Sequence, residues 1–127
     1  MTRQIKNYKV LKELLIAPYH PKLVALALWC YTRWSHFTIT SGYRDGDPGV
    51  HGQWPCRGLD VRSRDFPNPG KLCDDVNSLW IYDPHRMHKK CCVFHNAGSG
   101  FHFHLQVHDR TKYLVADGNG NFHDHIF

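Results

Sequence analysis

The sequence predicts an α+β domain in which helices pack on one face of a small, largely antiparallel sheet. Three observations carry this. The stretch PKLVALALWCYTRW, from Pro21 to Trp34, is long and apolar enough for a buried helix. The segment GSGFHFHLQV alternates strictly, which puts His102 and His104 on one face of a strand and Phe101, Phe103, Leu105 and Val107 on the other. In VHGQWPCRGLD, His51 and Asp60 stand either side of a short loop. At 127 residues the chain fits one domain, 1–127, able to bury a useful core without staples.

The elements follow in order. Pro21 suits the first turn of a helix, where its missing N–H would be unpaired anyway, and good helix formers continue to Trp34. HFTITS, from His36 to Ser41, is β-branched and alternating and reads as a strand that delivers SGYRDGDPG into a turn-rich loop carrying His51. Leu59-Asp60-Val61 reads as a short strand with Asp60 opposite its apolar neighbours. Asn68 can cap a helix beginning at Pro69, with Leu72, Val76, Leu79 and Trp80 on one face and a stop at Asp83-Pro84. Cys91 to His95 and Phe101 to His108 read as two strands around the turn NAGSG. The tail VADGNGNFHDHIF holds a Gly/Asn turn.

Composition narrows the function. Hydrophobic residues make up 42% and charged residues 21%, ordinary for a globular chain without repeats. The longest apolar run, LVALALWCY from Leu23, is far short of the roughly 20 residues a membrane span needs. The N-terminus, MTRQIKNYKVLKELL, has no uninterrupted apolar core followed by a small-residue cleavage site, so no secretion signal is expected and the chain starts in a cytoplasm. Cys30, Cys56, Cys73, Cys91 and Cys92 form no C-x-x-C pair, and their odd number argues for reduced, buried thiols rather than a disulfide framework. The net charge of +5 favours an anionic partner, whether nucleic acid, cell-wall polymer or acidic membrane, without choosing among them. There are 11 histidines and a single glutamate, Glu13, so any mechanism has to work without a second Glu.

A catalytic zinc needs about three His/Asp/Glu/Cys ligands and an open position for water. His51, Asp60 and one histidine of His102-Phe103-His104 would supply a His/Asp/His set that suits zinc. In this order, TSGYR, then H…G-x-D, then H-x-H before an alternating apolar strand, the chain resembles the M15 zinc peptidases. These share the fold of the D-Ala-D-Ala carboxypeptidases and hedgehog proteins and include small phage endolysins that cut peptidoglycan peptides. The resemblance covers roughly Leu23 to Val107. It implies His51, Asp60 and His104 as the Zn2+ ligands and Arg44 as the arginine facing the substrate carbonyl or carboxylate. It implies a peptidoglycan stem peptide as substrate and action at the bacterial cell wall or on a virion, by a monomer with no specific nucleic acid or membrane partner.

Two departures from the family pattern stand out. The His51 to Asp60 interval is two residues longer than in the family's S-x-H-x-x-G-x-A-x-D, an insertion placed around Trp54-Pro55-Cys56. The family's glutamate base before the late zinc histidine is absent, and strand alignment puts His95 in its place. Imidazole can take a proton from water near neutral pH. His102, on the same face as His104, is the rival for that role, and otherwise a hydrogen-bonding support or a second ligand.

Blander readings apply elsewhere. A single His or Asp is ordinarily just solvated; the trio carries weight only as an ordered set. His108, His123 and His125 read as solvent-exposed, His85 and His88 as part of a polar loop, and the basic runs His88 to Lys90 and Arg62 to Arg64 as solvated faces. Trp29, Trp34 and Trp80 are core candidates, Trp54 could line a cleft, and Cys56 could itself coordinate. Three functions compete: a zinc peptidase, a non-catalytic zinc-binding module of the same fold, and a nucleic-acid binder. The last rests on charge and aromatics alone, without a recognition motif.

Overall fold

The computed structural model describes residues 4–96, 100–116 and 122–125, with 115–116 and 122–125 described through their backbone. The observed class is α+β. Three helices, α1 (Tyr8–Ile16), α2 (Pro21–Arg33) and α3 (Pro69–Leu79), accompany strands β1 (Ile39–Ser41), β2 (Gly58–Arg62), β3 (Trp80–Ile81), β4 (Cys92–Asn96), β5 (Phe101–Gln106), β6 (Lys112–Ala116) and β7 (Phe122–His125). The strands form two sheets, β1-β2-β5-β4 and β3-β6-β7, with every neighbouring pair antiparallel. Among the described residues, no helix is long and apolar enough to cross a membrane.

Helix α2 begins where the sequence places it. His20 caps it through Nδ1, which accepts from Lys22 N at 3.1 Å, and Pro21 takes the first helical position. Leu23, Leu26 and Cys30, at helical spacing, are fully buried. Trp34 turns extended and ends the helix, donating its N–H to the Cys30 carbonyl. Asn68 likewise caps α3, accepting from Lys71 N at 3.3 Å.

These two helices cover one face of the four-stranded sheet. Their buried residues join Leu59, Val61, Cys92, Phe103, Leu105 and Val107 in one apolar cluster. The alternation read from the sequence holds: β2 pairs with β5 so that Leu59 opposes Leu105 and Val61 opposes Phe103 on the core side. Phe103 is completely buried, its ring 4.7 Å from that of Trp34 and 5.7 Å from that of Phe66. Phe103→Ala is expected to cost about 3–5 kcal/mol in urea unfolding. A loss under about 1 kcal/mol, the size typical of an ordinary substitution, would show that the core closes over the space.

Several elements depart from expectation. The first strand is shorter, starting at Ile39. Helix α3 stops at Leu79 rather than near Asp83, because Trp80 and Ile81 leave it to pair with Tyr113 and Lys112 of β6. Trp80 reaches the core as a strand residue, its ring 4.9 Å from that of Tyr113 and 6.4 Å from that of Trp29. Asp83 is more than a helix stop. It is fully buried and accepts from both Arg110 and Arg86, which outweigh the burial cost and hold its carboxyl below the usual range. Helix α1 and strands β6 and β7 were not anticipated. Helix α1 lies against the edge strand β1, and its Leu14 packs against the edge of the core cluster. The NAGSG turn at 97–99, the tail turn at 117–121 and the side chains of His123 and His125 lie outside the described residues. All five cysteines are free and buried, as expected, with the Cys73 and Cys92 sulfurs 3.2 Å apart.

Candidate metal centre

The site occupies the sheet face opposite the helical core. The pairing of β2 with β5 sets Asp60 across from His104 and Arg62 across from His102, and the pairing of β4 with β5 sets His95 across from His102. A period of two therefore delivers Asp60, His95, His102 and His104 to one surface. His51 comes from a single 3-10 turn, Val50–Gly52, tied back by Arg44 N to His51 O at 2.8 Å and Arg57 N to Val50 O at 3.0 Å. Gly52 is obligatory in this turn, since a Cβ would run into the Asp47 carbonyl.

The sequence-read trio converges. Asp60 Oδ1 lies 3.2 Å from His51 Nε2 and 3.0 Å from His104 Nδ1, and His51 and Asp60 are each 4% exposed. These three residues form one group able to hold a metal ion. Asp60, His95 and His102 form a second.

Hydrogen bonding on the far side of each ring shows what the centre wants. His51 Nδ1 sits 2.8 Å from the Gly42 carbonyl, which can only accept, so the ring donates there and directs Nε2 at Asp60. Gln106 donates its amide to Lys90 O at 2.7 Å, which turns its Oε1 toward His104 Nε2 at 3.1 Å. That directs His104 Nδ1 at Asp60 as well. Two inward imidazole nitrogens and a carboxylate oxygen favour positive charge between them, whether a ring proton donated to Asp60 or a metal cation. A cation bound by all three satisfies them, and the far-side bonds are the kind that orient metal-binding histidines.

The electrostatics agree. Burial opposes ionisation of Asp60, but hydrogen bonds to His104 and His51 and the neighbouring imidazoles outweigh it and hold the carboxyl well below the usual range. Arg44 sits half-exposed at the mouth, its Nη2 3.6 Å from Asp60 Oδ2 and its Nε 3.6 Å from Asp47. His95 has its pKa lowered, first by burial and then by His104 and His102.

His102 is buried, and its Nε2 makes no hydrogen bond despite lying 3.4 Å from Asp60 Oδ1; His95 Nε2 is likewise buried without a partner. The supporting bonds come instead from Gly42 and Gln106, neither of which was singled out from the sequence. Gln106 was legible, being two residues beyond His104 on the same face.

Glu13 also takes part. Its carboxylate accepts from Gly42 N at 2.8 Å, while the Tyr19 hydroxyl accepts from Tyr43 N at 2.8 Å and donates to Glu13 O. The peptide that orients His51 is thus held from behind by α1. Nothing local in the sequence marked this long-range contact.

Two readings are revised. Cys56 is fully buried, directs its thiol at the Gly58 carbonyl at 3.3 Å and belongs to neither metal-binding group, so it closes the loop rather than coordinating. Trp54 is 63% exposed and stacks edge-on against Tyr43 instead of lining the cleft of His51, Asp60, His95, His102 and His104. Comparison with family models, curated proteins and solved structures finds no match for this chain.

Proposed function

We propose that the protein is a zinc-dependent peptidase of M15 type, cutting peptidoglycan stem peptides at the bacterial cell wall or from a virion and acting as a monomer. The observation that carries the reading is the convergence of His51 Nε2, His104 Nδ1 and Asp60 Oδ1 on one point, with both rings fixed from behind. Two imidazoles and a carboxylate, with an open side toward the cleft, suit zinc. Bound there, zinc would supply Lewis acidity, polarising a peptide carbonyl and making water nucleophilic near neutral pH.

The chain's own residues do the rest. Gly42 and Gln106 keep the two ligand rings in the tautomer that offers a lone pair inward. Arg44 can present paired donors to a substrate carbonyl or carboxylate at the mouth. His95 Nε2, bare and on the same face, accepts the proton of the attacking water and returns it to the leaving amine, with His102 as the neighbouring alternative. The net charge of +5 favours adhesion to an anionic wall.

The test combines metal analysis with digestion of purified peptidoglycan and of short D-amino-acid peptides. One tightly held zinc per chain and release of peptide fragments are expected. The zinc should be lost in His104→Ala and kept in His102→Ala; the reverse would move the ligand by one strand repeat. Tight zinc without turnover on any wall peptide would instead make the protein a non-catalytic zinc module.

A further inference from the structure

The four-stranded sheet presents more metal-binding groups than one ion needs. Beyond His51 and His104, the cross-strand pair His95 and His102 stands on the same face, ring centroids 4.8 Å apart and nearly perpendicular. With Asp60 these two form a set whose ligand atoms lie within 4.8 Å of one another. Both Nε2 atoms are buried and without a hydrogen bond, and His102 is 8% exposed. A buried imidazole nitrogen left without a partner carries a desolvation cost that native structures ordinarily avoid. His95 Nε2 is such a nitrogen, and His102 Nε2 has only its 3.4 Å approach to Asp60 Oδ1.

We propose that Asp60, His95 and His102 form a second, weaker divalent-cation site beside the first, which fills in excess zinc and arrests hydrolysis. A carboxylate has two oxygens and several lone-pair directions, so Asp60 can serve both ions. Two imidazoles and a carboxylate oxygen again favour zinc over magnesium or calcium. The second site is weaker for two reasons. Its carboxylate charge is already engaged by the first ion, and like charges held close together repel. Arrest follows from the reading of His95 as proton acceptor: a cation on Nε2 occupies the lone pair that the water's proton would use. Binding at the second site does not depend on that reading; arrest does.

The test is a zinc titration of the metal-stripped full chain, followed by equilibrium dialysis and metal analysis, with wall-peptide hydrolysis measured in parallel. Two equivalents are expected, one tight and one weak. The weak equivalent should vanish in His95→Ala and in His102→Ala while the tight one remains, and it should persist in His88→Ala, a change outside the site. Hydrolysis should rise to the first equivalent and fall as the second binds. The proposal is overturned by a single equivalent in excess zinc, by a weak equivalent that survives in both His95→Ala and His102→Ala, or by full activity with both equivalents bound. Two equivalents with the expected losses but no hydrolysis at any zinc level would uphold the second site and overturn the peptidase reading.

Discussion

Asp60→Ala is expected to strip the protein of metal. Asp60 is the one residue common to both ligand sets and the only carboxylate in either. Removing a group that merely orients a ligand costs roughly 10–100-fold in metal affinity, so loss of the carboxylate itself should cost more than about 100-fold. Without it, His51 Nε2 and His104 Nδ1 face each other with no negative charge to balance a dication. Metal analysis after dialysis against a mild chelator should find the variant empty where the parent keeps its tight zinc, and hydrolysis should fall to background. Far-UV circular dichroism guards against a trivial loss of fold, since Leu59 and Val61 on the opposite face of β2 keep their packing. A folded Asp60→Ala protein that retained a full equivalent of zinc would place the metal elsewhere.

The second large effect is kinetic. His95→Ala is expected to keep the tight zinc and the fold while kcat falls by about 10²–10⁴-fold, the contribution of a positioned acid–base group. Burial and the neighbouring His104 and His102 all disfavour the imidazolium of His95, so its pKa lies below the ordinary value. The accepting form is neutral imidazole, lost as pH falls through that pKa. The acid limb of the rate profile should therefore have its midpoint below about 6.5 and should disappear in the variant. Turnover near normal in His95→Ala, with collapse in His102→Ala, would hand the role to His102.

Much of the fold could be read along the chain, and the reasons are local. Pro21 and Asn68 mark helix starts because each solves the problem of unpaired N–H groups in a first turn. The alternation of Phe101 to Val107 announced a strand with a histidine face and an apolar face; Phe103, Leu105 and Val107 are buried on the apolar one, while Phe101 at the strand's start is 60% exposed. Helix α1 was legible too and passed over: Asn7 accepts from Val10 N at 3.1 Å as a cap, and Val10 and Leu14 recur at helical spacing. The end of α3 was not legible. Trp80 continues the helical apolar pattern, yet its backbone pairs with Tyr113, and tertiary packing overrides a periodicity that only records which side chains are buried.

By itself, the sequence determined the α+β class and the two faces of β5, and it offered His51, Asp60 and one of His102 and His104 as candidate metal ligands, because period and residue chemistry are properties of short segments. Tertiary structure alone decided how the trio is held. Glu13 reaches Gly42 across 29 positions, and Gln106 is fixed by Lys90 from a neighbouring segment; no local pattern encodes which distant groups will meet. It also decided that His95 and His102 stand with bare nitrogens beside Asp60. Strand register sets that placement, and register comes from packing the opposite face of the sheet against α2 and α3.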